Sequence, residues 1–321
     1  MITIIGRSAA HARMLELVAV AATTDVEVLI HGPSGVGKEL YAQEIHNQSA
    51  RARHPFVPIN CGALPPELFE NELFGHVSGA FTGARTRATG LVSEAQHGTL
   101  FLDEVDALPL ASQVKLLRLV QQKEYRPLGD SRLRRINVRI IAATNAHLMD
   151  EVRAGRFRWD LFFRLRVFPL KVAALKDRKE DVPLLLAHFV QRYAGEYGKK
   201  PISFSEGAQR RLSSYDWPGN IRELENCARY LLCMCNGTVV EEKDLPLLEL
   251  NTLDAEVETP QARRENFNAA KKRVVSQFER SYVEGMLLEH EGNVSAAARA
   301  SGKHRRAFFE LMRRHGLDRA R

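Results

Sequence analysis

The sequence predicts an α/β unit built on a parallel sheet, then an α-helical segment, then a second, all-α unit. Three observations predict it. Short β-rich runs alternate with helical patterns through the first half, a glycine-rich turn joins the first run to a helix, and the β-rich runs stop after about Val172. Strand alternating with helix argues for parallel pairing, because a parallel neighbour needs a crossover that returns the chain to the same edge.

The first run is Val26-Glu27-Val28-Leu29-Ile30, and Gly32-Pro33-Ser34-Gly35-Val36-Gly37-Lys38 follows it and opens a helix. A G-x-x-x-x-G-K turn in that position is built to hold phosphates. Its glycines let backbone N–H groups wrap the phosphates, the helix N-terminus adds favourable partial charge, and Lys38 reaches the β- and γ-phosphates. Glu39 stands where Ser or Thr usually contacts magnesium, and a plain glycine-rich turn is the alternative reading. The second run, Phe56-Val57-Pro58-Ile59, leads to Asn60. The third, Thr99-Leu100-Phe101-Leu102, ends in Asp103 and Glu104. An apolar strand ending in two carboxylates suits a nucleotide site: Asp103 would hold Mg²⁺, directly or through water, and Glu104 would orient and polarise the attacking water. A solvated acidic turn would look the same in isolation. Helical spacing follows at 113–122, where Val114, Leu117 and Val120 or Gln121 recur on successive turns. Val138-Arg139-Ile140-Ile141-Ala142 runs into Ala143-Thr144-Asn145, and Val167-Phe168-Pro169-Leu170 completes the sheet. Apolar spacing then turns helical through 181–197, 205–215 and 220–235, a small lid after the sheet.

Between the second and third runs lies Gly79-Ala80-Phe81-Thr82-Gly83-Ala84. Glycine on both sides frees the backbone, and no apolar period carries Phe81 into a core, so the ring is expected to meet a partner surface. Alone, the hexapeptide would read as a surface turn with one stray aromatic.

With 45% hydrophobic and 26% charged residues, disorder across the whole chain is excluded. No apolar stretch is long enough to span a bilayer and no signal peptide is evident, so a cytoplasmic location without membrane contact is expected. The four cysteines, Cys61, Cys227, Cys233 and Cys235, lack paired C-x-x-C spacing and read as reduced, mostly buried thiols. The net charge of +7 is unevenly placed: residues 261–321 carry 14 Lys and Arg against 7 Asp and Glu, which accounts for all of the excess. A basic end on a neutral body points to a polyanion, double-stranded DNA above all, rather than to a tail kept for solubility. There, Val275, Phe278, Tyr282 and Met286 mark one helix face. Asn293 would cap a second helix over 294–300, and Gly302 permits a turn into a third from about His304 to His315. Burying Phe308, Leu311 and Met312 leaves Lys303, His304, Arg305, Arg306, Arg313 and Arg314 for the groove and phosphates. A bundle serving dimerisation alone is the competing reading.

Together these segments closely resemble the bacterial enhancer-binding proteins, AAA+ ATPases that activate sigma-54 RNA polymerase. The hexapeptide is similar to their GAFTGA loop, GKE after the phosphate turn is what they carry, and the resemblance covers Ile4 to about Leu250. It implies an AAA+ P-loop NTPase with ATP and Mg²⁺ as cofactors. By the same resemblance, Asn145 is a sensor I residue, Asn60 restrains Glu104, and Gly79 to Ala84 contact sigma-54. Phe157-Arg158-Trp159-Asp160-Leu161-Phe162-Phe163-Arg164-Leu165 resembles FRxDLYYRL, which implies that Arg158 and Arg164 reach into a neighbouring subunit of a hexameric ring. Trp217-Pro218-Gly219-Asn220-Ile221-Arg222-Glu223-Leu224 matches WPGNxREL and makes Arg222 the lid contact. The last unit resembles a Fis-type helix-turn-helix that dimerises on DNA. Departures are Ala174-Leu175-Lys176-Asp177-Arg178 where the family has Pro-Leu-Arg-x-Arg, and Val77-Ser78 where it commonly has an acidic pair. The expected organisation is an ATPase α/β subdomain at 1–171, a lid at 172–250, a linker at 251–266 and the DNA-binding unit at 267–321. The short stretch before the phosphate turn leads us to expect no attached regulatory domain and a regulator acting in trans. The expected role is activation of sigma-54 holoenzyme, with two alternatives: an AAA+ remodeller of another client, and a DNA-binding repressor that uses ATP as an assembly switch.

Overall fold

The structure, a computed structural model, describes residues 4–81, 84, 86–235, 237–245, 279, 282–283, 286–287, 290 and 293–315. It divides into two units, Met1–Pro246 and Leu247–Arg321. The chain order in the first unit begins α1 (Ala9–Ala22), β1 (Val28–His31), α2 (Lys38–Asn47), β2 (Phe56–Asn60), α3 (Pro66–Phe74), β3 (Gly75–His76), β4 (Ala88–Thr89) and α4 (Leu91–Glu94). It continues through β5 (Thr99–Asp103), α5 (Leu110–Gln122), β6 (Glu124–Tyr125), β7 (Arg134–Arg135), β8 (Arg139–Thr144), α6 (Leu148–Arg153), α7 (Trp159–Leu165) and β9 (Phe168–Lys171). Then come a 3₁₀ stretch at Leu175–Asp181, α8 (Val182–Glu196), β10 (Ser203–Phe204), α9 (Glu206–Ser214), α10 (Asn220–Met234) and β11 (Val239–Val240).

Five strands form a parallel sheet in the order β2-β5-β8-β1-β9. Its middle strands are apolar almost throughout because helices cover both faces, as β8 shows with all six residues buried. Side chains alternate between the faces. Leu29, Leu100, Leu102, Ile140 and Ala142 join Leu73, Leu116, Leu119 and Phe162 in one core. Val28, Ile30, Phe101, Ile141 and Ala143 join Met14, Val18, Tyr41 and Ile45 in the other. Parallel pairing also puts every carboxyl end on one edge: His31 lies opposite Thr144 and Asn60 opposite Asp103. In such sheets that edge is where ligands bind.

The lid follows through the 3₁₀ stretch. One face of α8 buries Leu185, Leu186, Phe189, Val190 and Tyr193, and α10 buries Leu224, Cys227, Ala228, Leu231 and Leu232 at helical spacing. Fully buried Asp181 ties the hinge back to the start of α1, accepting from the amides of Arg7 and Ser8 and from Ser8 Oγ at 2.7, 2.8 and 2.8 Å. Among the described residues no helix is long and apolar enough to cross a membrane.

In the second unit, α11 (Val294–Ala300) and α12 (Arg305–Arg314) meet through a turn in which Gly302 takes φ +67°. Asn293 caps α11, its side chain accepting from the amides of Ser295 and Ala296. Ala297 and Ala298 are buried against Phe308, Met312 and Val283, with Leu311 and Met286 partly buried beside them. Val275 and Phe278, expected on the first helix of this unit, lie outside the described residues, as does the expected linker at 251–266.

Candidate active site

Between β1 and α2 the chain makes the phosphate-type turn. Gly35 and Gly37 adopt φ of +76° and +88°, backbone that a residue with a Cβ rarely takes. Ser34, Gly35, Val36, Gly37, Lys38 and Glu39 form one wall of a cavity of about 620 Å³, and Asp103, Glu104 and Arg222 line it as well. Gly32 and Pro33 stand behind the wall, where their carbonyls accept from Lys38 Nζ at 2.9 and 3.1 Å. Burial pushes the Lys38 ammonium below the usual lysine range, while Asp103, Glu104 and Asp106 push it back up. A buried cation facing carboxylates, beside free backbone amides at a helix start, fits a nucleoside triphosphate whose metal would be held by Asp103. Glu39 is exposed in the first turn of α2, favourably placed for the helix dipole.

Asp103 closes β5 and its Oδ1 accepts from the Glu104 amide at 3.0 Å. Glu104 itself sits in the left-handed region at φ +52°. Asn60 Oδ1 accepts from the Gly62 amide at 2.8 Å. A Cβ on Gly62 would stand 2.7 Å from Glu104 Oε2 and 3.5 Å from Asn60 Oδ1, so the missing side chain lets the two groups converge. Among the described residues they share no hydrogen bond, and Asn60 and Asn145 are both absent from the cavity wall. Asn145 follows β8 as an exposed residue, and its neighbour Thr144 donates to Asp106 at 2.5 Å.

The three arginines divide. Arg222 is at the cavity, with Nη1 donating to Ser34 Oγ at 3.3 Å. Arg158 and Arg164 are not. Arg158 makes a bidentate pair with Asp160 at 3.0 and 2.7 Å, and this holds its guanidinium above the usual range and the Asp160 carboxyl below it. Arg164 is exposed on α7.

Of the hexapeptide, Gly79, Ala80, Phe81 and Ala84 are described, while Thr82 and Gly83 lie outside the described residues. The β3–β4 pair forms the base, and the Gly79 amide donates to the Ala84 carbonyl at 2.8 Å. Phe81 is 46% exposed, yet not bare: its ring meets His76 edge-on with centroids 5.0 Å apart. In the second unit Lys303, His304, Arg305, Arg306, Arg313 and Arg314 are all exposed. Arg306 pairs with Glu310 at 3.8 Å and Arg314 with Glu279 at 3.6 Å, so part of that charge is compensated.

Sequence reasoning missed the share of the cavity wall that the lid and hinge supply. Leu185, His188, Phe189 and Arg192 of α8 contribute to it, with Ile221 of α10 and Arg178 of the hinge. Their i, i+3, i+4, i+7 spacing on α8 was the available signal, and it is indistinguishable from the pattern of a core-facing helix.

The Sigma-54 interaction domain family matches residues 4–171, and the AAA+ ATPase lid domain family matches residues 176–262. The transcriptional regulatory protein GlrR of Escherichia coli K12 is 42% identical over 315 residues, 98% of this chain and 68% of GlrR. The nitric oxide reductase transcription regulator NorR1 of Cupriavidus necator is 41% identical over 326 residues, covering 98% of this chain and 63% of NorR1. The chain thus spans about two thirds of the length of these relatives. Crystal structures of NtrX from Brucella abortus, one in complex with ATP and one with ADP, superpose with TM-scores of 0.73 and 0.77 at 32% identity. They cover 98% of this chain and 70% and 69% of theirs. With the phosphate turn and the paired carboxylates at one sheet edge under a helical lid, the chain belongs to the sigma-54 interaction domain family of AAA+ ATPases.

Proposed function

We propose that the protein activates transcription by binding enhancer-like DNA through its basic C-terminal unit and using ATP hydrolysis to remodel the sigma-54 RNA polymerase closed complex. Bound with Mg²⁺, ATP would supply the phosphoanhydride whose cleavage drives the change. Lys38 neutralises the β- and γ-phosphates, Asp103 holds the metal, and Glu104 orients the attacking water under the restraint of Asn60. Asn145 and Arg222 sense the γ-phosphate from core and lid. Arg158 and Arg164 serve a neighbouring protomer of a hexameric ring, a reading supported by their position away from their own protomer's cavity. Arg158 must leave Asp160 to do so. Lys303, His304, Arg305, Arg306, Arg313 and Arg314 contact DNA as a dimeric helix-turn-helix in the cytoplasm.

The observation that carries this reading is Phe81, a half-exposed ring on a hairpin of the same unit that holds the nucleotide cavity. An ATPase acting on another client would have no stated use for Gly79 to Ala84 beside a DNA-binding unit. Transcription in vitro from a sigma-54 promoter tests it. Open complexes are expected with ATP and not with a non-hydrolysable analogue, and Thr82→Ala is expected to hydrolyse ATP without forming them. Transcripts at the parental level from that variant, or with the analogue, would remove the assigned role.

A further inference from the structure

Three consecutive carbonyls of the phosphate turn are held from the lid side. Asn220 Nδ2 donates to the Ser34 carbonyl at 2.9 Å. The amides of Ile221 and Arg222 both donate to the Gly35 carbonyl, at 3.0 and 3.3 Å. From the hinge, Arg178 Nη2 donates to the Val36 carbonyl at 3.3 Å. The surfaces are in close contact here, for a Cβ on Gly35 would lie 2.3 Å from the Gly219 carbonyl oxygen.

A trans peptide is planar, and its carbonyl points opposite to the N–H that follows it. Drawing the carbonyls of Ser34, Gly35 and Val36 toward the lid therefore turns the N–H groups of Gly35, Val36 and Gly37 the other way. Those are the amides of a cavity-lining segment, and among the described residues none of them donates to a backbone carbonyl. Successive converging amides form an anion-binding concavity. The lid thus shapes the phosphate site through the carbonyls of the turn.

Asn220 is the centre of this arrangement. Its Oδ1 accepts from the Leu175 amide at 2.8 Å while its Nδ2 serves Ser34 and, at 3.3 Å, the Pro218 carbonyl. Leu175 can only donate and Ser34 can only accept, so the carboxamide has one orientation that satisfies both. The side chain joins hinge, phosphate turn and lid in one group that is 2% exposed and outside the cavity wall. Its backbone is in the left-handed region at φ +55°, as is Trp217 at +50°. Asn tolerates that conformation, whereas Trp does so at a cost that surrounding contacts must sustain. Trp217 is 1% exposed and its Nε1 donates to the Leu212 carbonyl at 2.9 Å, which anchors the turn in the lid.

We propose that Asn220 is a positioning residue for nucleotide phosphates: it never touches them, and it orients the amides that do by holding the Ser34 carbonyl toward the lid. The inference rests on the nucleotide-site reading above. By linkage, phosphate binding and lid placement then favour one another.

The test compares ADP with adenosine on the full chain, by calorimetric titration of ADP and by adenosine displacement of a fluorescent ADP analogue. Asn220→Asp keeps the acceptor for Leu175 and the tolerance for positive φ, but sets an anionic oxygen against the Ser34 carbonyl. Asn220→Gly keeps the turn's backbone and removes the bridge altogether, so it carries the test should the first variant fold poorly. In either variant ADP affinity is expected to fall about tenfold or more, the scale of one hydrogen bond, with adenosine affinity within about twofold of the parent. Equal losses for both ligands would mean a displaced lid and overturn the proposal, as would unchanged ADP affinity. Failure of the parent protein to bind ADP would instead sink the nucleotide-site reading itself.

Discussion

Glu104 shows how local geometry prepares chemistry. A non-glycine residue at φ +52° is held there by its surroundings, and here the Asp103 carboxylate accepts its amide. Replacing it by glutamine keeps the shape and removes the charge that would orient water. Glu104→Gln is expected to bind ATP within a few-fold of the parent and to lose about 10²–10⁴ in turnover, the usual scale for such a group. Phosphate release and nucleotide titration on the same preparation measure both, and parental turnover would dismiss Glu104 from the reaction. At this scale the motif residues were legible, because Lys38, Asp103 and Glu104 follow one strand or open one helix and their neighbours in sequence decide their neighbours in space. Cysteine chemistry was legible only in part. Cys61 and Cys227 are buried, burial pushing the Cys227 thiol up to about 12, whereas Cys233 is exposed. An Ellman titration of the native protein is expected to modify Cys233 rapidly and Cys61 and Cys227 only after denaturation. Rapid reaction of either buried thiol would contradict the packing around them.

At the scale of elements, the expected strands fall within a residue or two of those observed. The run over 138–142 becomes β8 at Arg139–Thr144 and the run over 99–102 becomes β5 at Thr99–Asp103. Apolar period and a breaker at each end suffice for that. The small β3–β4 and β6–β7 pairs were not legible, since strands of two residues carry no period. Helix caps were: Asn293 stands before α11 and accepts two of its free amides, at 3.1 and 3.2 Å. Loss of that cap costs about 1 kcal/mol. Asn293→Ala is therefore expected to raise hydrogen exchange of the α11 amides several-fold while leaving those of the sheet unchanged. Equal exchange in α11 would show that the cap contributes nothing there.

On the scale of the whole molecule, buried histidines couple the first unit, Met1–Pro246, to pH. His46 shares a hydrogen bond of 2.9 Å with Thr99, and His11 lies 3.3 Å from the Tyr41 hydroxyl. Burial holds both below the ordinary histidine value. The unfolded chain therefore takes up protons first as pH falls, near a pKa of about 6.5. Their contribution to stability is complete above that pH and is lost progressively below it. The urea midpoint of this unit is expected to drop between pH 7.5 and 5.5, and to drop less in His46→Gln. Both tryptophans, Trp159 and Trp217, lie in this unit, so their fluorescence reports it. A midpoint independent of pH over that interval would contradict the assignment.

The amino-acid sequence by itself determined the parallel α/β class, the phosphate turn, the paired carboxylates and the basic end, because each depends on residues adjacent in the chain or on a repeating period. Only the tertiary structure decided what stands opposite them. Asn220 meets Ser34 across 186 positions, Arg158 turns to Asp160 instead of the cavity, and Phe81 rests on His76. The physical reason is that strand order and hinge placement arise from packing summed over two cores, and no local run of residues encodes which distant backbone carbonyl a side chain will reach.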